Sequence, residues 1–312
     1  MPGTATAFFR CGFASTTKPR ELAALNVYGA SMEEHLIPRA GQHRLYDLTS
    51  ENTSAETKAS TARWYAEMMI DLFFSEKGKS RVGAEKFNRL SLGEKIKILK
   101  EDYSNGLIDS LNLIKQFGDM ASHYQSGRTI EAESVENVIK KSLSLFDFVL
   151  IGLMKDNGIR KTEVTATLFS TFLPSIRVRV LKEIIDLGSV SGDSDNDMFL
   201  LDKLVLALTK NGEGKKAIRL LEKLKKQEKI GDYHVNFWKE KIEIIQGKID
   251  EGVLPIPENI SDCKRNFDDV FSQLSDDEKA QNDSLIEVFN TMFDQVEPSK
   301  MGDKQPSLMV LM

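Results

Sequence analysis

Apolar residues recur at helical spacing along most of this chain, and this spacing is the feature that most constrains the fold. The clearest case runs from about Ala132 to Asp156, where the apolar positions share one helical face: Val135, Val138, Ile139, Leu145, Phe146, Val149 and Leu153. Few runs alternate between apolar and polar residues, as a half-buried strand would. The sequence therefore predicts an all-α protein.

Helix starts and stops divide the chain into elements. Three segments have the pattern of a capping box, in which a hydroxyl and a carboxylate bond each other's backbone amides: 53–56, 91–94 and 275–278. Gly158 and Pro174 are typical residues at which helices end. We predict an irregular lead-in over 1–52, a helical bundle over 53–158, a helical-hairpin domain over 159–297 and a tail over 298–312.

Composition excludes several functional classes. The 312 residues include only two cysteines, Cys11 and Cys263, and no CxxC pattern, so we expect reduced thiols, no structural zinc and no cofactor. The longest apolar run, 148–154, is far shorter than the roughly 20 residues that cross a bilayer. The amino-terminal apolar run is short and Arg10 interrupts it, which is unlike a signal peptide. We therefore expect a cytoplasmic protein without a membrane partner.

One segment brings three polar side chains to the same helical stripe. Lys115, Asp119 and His123 follow each other at steps of four, which leaves them on nearly one face of a helix. An ammonium, a carboxylate and an imidazole in a row can act on phosphate, and these three are our candidate catalytic residues. The alternative is a structural ladder of side chains that fixes the helix.

Charge is distributed unevenly along the second half. Residues 203–229 carry nine Lys or Arg and three acids, whereas residues 250–297 carry thirteen acids and three bases. A basic helix can bind phosphate or RNA, for which the candidates are Lys215, Lys216, Arg219 and Lys223. The alternative is that the charges of both segments simply lie on solvent-exposed helix faces. Acids at 193, 195 and 197 look like the start of a calcium loop, but Met198 stands where that loop needs Gly, so no metal site is predicted.

Residues of about 53–153 resemble a HEPN-like bacterial family catalogued as domain-of-unknown-function family 4145. The likeness is carried by the alanine-rich helix from Ala55, by 90–99, and by 113–123, where Gly118, Ala121 and His123 fit the signature. Lys115 stands where the family has Arg, and Asp119 where it has Asn. Upstream, the segment 35–38 is similar to the family's lead-in.

This resemblance implies a four-helix up-and-down bundle that often dimerises. Some members are metal-independent ribonucleases that use Arg and His, and others are inactive interaction or RNA-binding modules. Lys is a point charge and lacks the planar fork with which Arg clamps a phosphate. The Asp119 carboxylate repels phosphate and favours the cationic form of His123. The small residues Gly118 and Ala121 would allow close helix approach at a homodimer seam.

A second resemblance covers 201–228, which looks like one tetratricopeptide hairpin. Its packing residues stand in the expected places: Leu204, Leu208, Gly212, Ala217, Leu221 and Leu224. One unit cannot bury a continuous core alone, so neighbouring helices have to complete it. The two resemblances together predict a non-catalytic adaptor that dimerises and binds a protein partner, in a bacterial defence or stress system. The alternative is an RNA-binding protein or endoribonuclease.

Overall fold

A computed structural model describes residues 35–122, 130–254 and 256–293. Of these described residues 75% are helical and none lies in a strand, which confirms the all-α prediction. Several predictions fall outside the described residues. They concern His123, Cys11, most of the amino-terminal lead-in and the carboxy-terminal tail from 298.

The helices follow each other with short connections. The first set is α1 (Arg39–Gln42), α2 (Leu45–Thr49), α3 (Ala55–Met69), α4 (Ser75–Val82), α5 (Ala84–Arg89), α6 (Leu92–Leu99), α7 (Asn105–Ser122), α8 (Ala132–Leu143) and α9 (Leu145–Asn157). The second set is α10 (Glu163–Phe169), α11 (Pro174–Ile184), α12 (Asp195–Lys210), α13 (Gly214–Lys226), α14 (Asp232–Asp250), α15 (Ile260–Phe271), α16 (Asp276–Gln281) and α17 (Asp283–Phe293). Between α3 and α4 the chain makes a π-helical turn over Ile70–Phe74.

Helix starts follow the cap chemistry of the sequence, with one shift. The capping boxes at Ser91 and Ser275 form as predicted. At the start of α3 the prediction was wrong by one residue, because Ser54 and not Thr53 accepts the backbone amide of Thr57. Gly158 ends α9 with a φ of 77°, a conformation that suits a residue without a Cβ.

Helices α3, α7, α8 and α9 all contact one another and surround the first part of the core. Their buried residues come from the predicted apolar faces, such as Ala62, Met69, Leu111 and Phe146. The single helix predicted over 132–156 is divided at Ser144, whose ψ is −1°. Helices α8 and α9 contact each other across this turn.

The core continues across the boundary that we predicted at residue 158. Helix α9 packs on α11, and α11 packs on α12, which in turn contacts α13 and α14. A stack of three aromatic rings joins distant parts of the chain, since Phe289 lies 4.2 Å from both Phe172 and Phe267. The end of the lead-in, expected to be irregular, forms α1 and α2, which pack on α3. Within the described ranges, no helix has the length and apolar character that crossing a membrane requires.

Candidate functional site

Two of the three residues of the predicted stripe meet on α7. The Lys115 Nζ donates a hydrogen bond to Asp119 Oδ2 at 2.5 Å. A residue that the spacing did not indicate, Arg63 of α3, donates to the other carboxylate oxygen of Asp119. Arg63 also bonds Glu67 through its Nε at 3.2 Å. The site is thus a four-residue ion-pair cluster that joins α3 to α7, and we call it the α3–α7 cluster.

Close approach of the backbones brings the cluster together. A Cβ built on Gly118 would lie 2.5 Å from the Cβ of Arg63, so only glycine fits between α7 and α3 here. A Cβ on Gly93, at the start of α6, would lie 2.7 Å from Cε of Lys115. The Gly118 face, which the sequence suggested for a dimer seam, is therefore covered by α3 of the same chain.

Charge in the α3–α7 cluster is balanced within the protein. The hydrogen bond from Lys115 and the charge of Arg63 lower the pKa of Asp119, although partial burial opposes them. The carboxylate is therefore ionised at neutral pH and neutralises the cations beside it. Because both cations already hold a carboxylate, an incoming phosphate would have to displace Asp119 or bind beside its negative charge.

A second, partly buried polar cluster joins His35, which precedes α1, to helices α9 and α11, and sequence reasoning missed it. Arg179 donates to both oxygens of Asp147, at 2.5 and 3.2 Å, and its Nη2 lies 3.5 Å from Nδ1 of His35. Burial raises the pKa of Asp147, and burial together with the charge of Arg179 lowers the pKa of His35 to about 4. The buried Tyr65 hydroxyl has no hydrogen-bond partner in the described structure. No spacing rule predicts this cluster, because its members are far apart in sequence.

The basic candidates of the second half all lie on α13. Lys215, Lys216, Arg219 and Lys223 are exposed and follow one stripe of the helix, as steps of three and four require. Lys216 pairs with Glu213, and its hydrogen bond lowers the pKa of that carboxyl. The other three have no carboxylate partner within the described ranges. The structure therefore brings these four candidates together on one face of α13, a helix that is far from Lys115 in the sequence.

An exposed apolar face on α14 was not predicted. Tyr233, Phe237 and Ile244 keep 77%, 49% and 52% of their surface exposed, and their spacing places them on one side of the helix. Helix α14 is anchored to α12, where Trp238 and Lys241 both donate to Asp202, and the Nζ of Lys241 also lies 5.8 Å from the centre of the Phe237 ring. The apolar face therefore lies on a helix whose position is fixed by its hydrogen bonds to α12.

Small concave sites occur in the part of the chain that the structure describes. One of them, of about 170 Å³, lies between the end of α11 and α13 and is lined mostly by apolar groups, with Lys223 at its edge. No group of three or more His, Cys, Asp or Glu side chains among the described residues lies in a position to hold a metal ion. The acids 193–197 instead start α12, where Ser194 caps the helix.

No protein-family model, no curated protein and no solved structure matches this chain. The resemblances of residues 53–153 and 201–228 accordingly stay predictions.

Proposed function

We propose that this chain is a non-catalytic helical interaction protein. In this proposal a HEPN-like bundle, built on α3, α7, α8 and α9, carries a repeat-like helical domain that binds a protein partner. The observation that carries the proposal is the apolar face of α14, formed by Tyr233, Phe237 and Ile244. Aromatic side chains of this kind dominate the binding energy of protein interfaces.

The α3–α7 cluster supports a non-catalytic function. A ribonuclease of the HEPN type needs a free cation for the phosphate beside its histidine. Here Asp119 pairs with both Lys115 and Arg63. The cluster is better suited to holding two helices together, and we assign it that role.

The experiment places a photo-crosslinking amino acid at Phe237 and, as a matched control, at Tyr46 of α2, which is 50% exposed. We expect a specific crosslinked protein in cells from position 237 and none from 46. The partner is then purified and titrated by calorimetry, where Phe237→Ala should weaken binding about thirtyfold, the loss of a hot-spot aromatic. Equal crosslinking at the two positions would contradict the proposal.

Homodimerisation is part of the proposal and has its own test. Light scattering at micromolar concentration should report twice the monomer mass. Since the Gly118 face is covered by α3, the seam has to use another surface, and crosslinking from Phe237 to a second copy would place it on α14. A monomer at every concentration would remove the dimer from the proposal.

RNA binding is the second candidate, and the α13 stripe favours it. Lys215, Arg219 and Lys223 are exposed and lack carboxylate partners in the described structure. Binding of a labelled single-stranded RNA, followed by fluorescence anisotropy, should then weaken with salt. The slope of log affinity against log salt concentration should become shallower by about 0.7 for each phosphate contact that is lost. A variant with methionine at all three positions should lose about 2 units of slope by the same rule. An unchanged slope would argue against this candidate.

Ribonuclease activity is the remaining alternative. We expect labelled RNA to stay intact between about pH 5.5 and 8, on either side of the ordinary histidine pKa. Metal-independent cleavage that is lost in His123→Ala and kept or raised in Lys115→Arg, which restores the bidentate fork, would instead establish an endoribonuclease.

A further inference from the structure

Arg177 of α11 is a buried cation that has no counter-charge among the residues that the structure describes. Only 5% of its surface is exposed, and its Nε has no hydrogen-bond partner. Within the described ranges no carboxylate pairs with it, and burial raises the pKa of the neighbouring Cys263 thiol to about 12, so that thiol carries no negative charge at neutral pH. An isolated charge removed from water is strongly unfavourable, so folded proteins normally pair it.

Two other cations, one buried and one partly buried, are paired with carboxylates in the normal way. Lys95 of α6 is 7% exposed, and its Nζ lies 2.8 Å from Asp71. Arg179, two residues after Arg177, holds both oxygens of Asp147. The unpaired state of Arg177 is therefore a local property of this site.

Further cations lie close to Arg177 on the facing helix α12. Lys210 lies on α12, the helix that packs on α11. Burial lowers the pKa of Lys210, and the charges of Arg177 and Lys203 lower it further. Phe199 follows on the same side of α12. The centre of its ring lies 5.0 Å from Nζ of Lys203 and 5.1 Å from Cζ of Arg160. None of Arg160, Lys203 and Lys210 has a carboxylate partner in the described part of the chain.

We propose that Arg177 and Lys210 form a binding site for a phosphate group, with Lys203 and Arg160 at its outer edge. A planar guanidinium binds two oxygens of a phosphate, and an ammonium adds a third donor. A bound dianion supplies the counter-charge that no carboxylate of the described residues provides. The site is distinct from the α3–α7 cluster and from the α13 stripe. Its ligand is inorganic phosphate or a small molecule that carries a phosphate group.

The test is the melting temperature of the full chain against inorganic phosphate, with chloride at equal ionic strength as the reference. We expect a saturable rise in melting temperature with phosphate and none with chloride. Titration with a nucleoside monophosphate distinguishes the sources: a higher affinity than that of phosphate assigns a phosphorylated small molecule, and an equal or lower affinity assigns free phosphate. A melting temperature that does not respond to either compound would overturn the proposal.

Substitutions test whether the rise in melting temperature with phosphate arises at Arg177 and Lys210. Arg177→Met should abolish the phosphate response, and Lys210→Met should weaken the affinity about tenfold, the loss of one charge-assisted hydrogen bond. Should Arg177→Met fail to fold, Lys210→Met decides, because Lys210 is only partly buried. The matched control replaces Lys215, Arg219 and Lys223 of α13 by methionine and should keep the response. A response lost in the control and kept in Lys210→Met would overturn the assignment.

Discussion

Gly118→Ala tests the close approach of α7 to α3, on which the α3–α7 cluster depends. The new Cβ would lie 2.5 Å from the Cβ of Arg63, whereas real Cβ contacts essentially never come under 3.0 Å. The Cβ of Arg63 is fixed to its backbone, so a rotamer change cannot relieve the clash and the two helices have to separate.

The magnitude follows from two opposing effects. Overpacking of this kind costs about 1–3 kcal/mol, and the severity of the contact places it near the upper end. Replacing a helical glycine by alanine returns about 1 kcal/mol of helix propensity. We therefore expect a net loss of about 2 kcal/mol of unfolding free energy, and a fall in melting temperature of about 4 °C.

Gly152→Ala on α9 is the matched control. It makes the same chemical change inside a helix, but no atom lies within 4 Å of the new Cβ. This variant should be more stable than the wild type by up to about 1 kcal/mol. Thermal melts followed by circular dichroism measure both. If Gly118→Ala stabilises the protein as Gly152→Ala does, α3 does not approach α7 as closely as described, and the geometry of the cluster is wrong.

Four further predictions concern charge, burial and packing. Asp119→Asn should lower the unfolding free energy by about 1 kcal/mol at neutral pH, because the pairs are partly exposed; the difference should vanish in acid, as the pH falls through the lowered pKa of the carboxyl. His35 is neutral when folded and takes up a proton near pH 6.5 when unfolded, so stability should fall by about 3 kcal/mol between pH 6.5 and its folded pKa of about 4; His35→Gln should remove this slope in denaturant titrations. Phe289→Ala should cost about 3–5 kcal/mol in the same assay, since it empties the middle of the ring stack. Cys263 is fully buried with a pKa of about 12, so peptide mass spectrometry should find it alkylated only after unfolding.

The sequence by itself determined the helices and most of their buried faces. Local rules suffice there, because a cap such as Ser91 and an apolar stripe such as that of α7 depend on residues within a few turns. The same rules gave the pairing of Lys115 with Asp119 and the shared face of the α13 cations, since both follow from a step of four residues.

Only the tertiary structure decided what those side chains meet. Arg63 reaches Asp119 across 56 positions of sequence, and this contact turns a candidate phosphate site into a balanced ion-pair cluster. The sequence did offer one signal at Arg177, a cation at helical spacing between the apolar residues Leu173 and Leu181. Its lack of a partner became visible only with α12 and α15 in place, because a missing counter-charge is a property of the surroundings in space and not of the neighbouring residues in sequence.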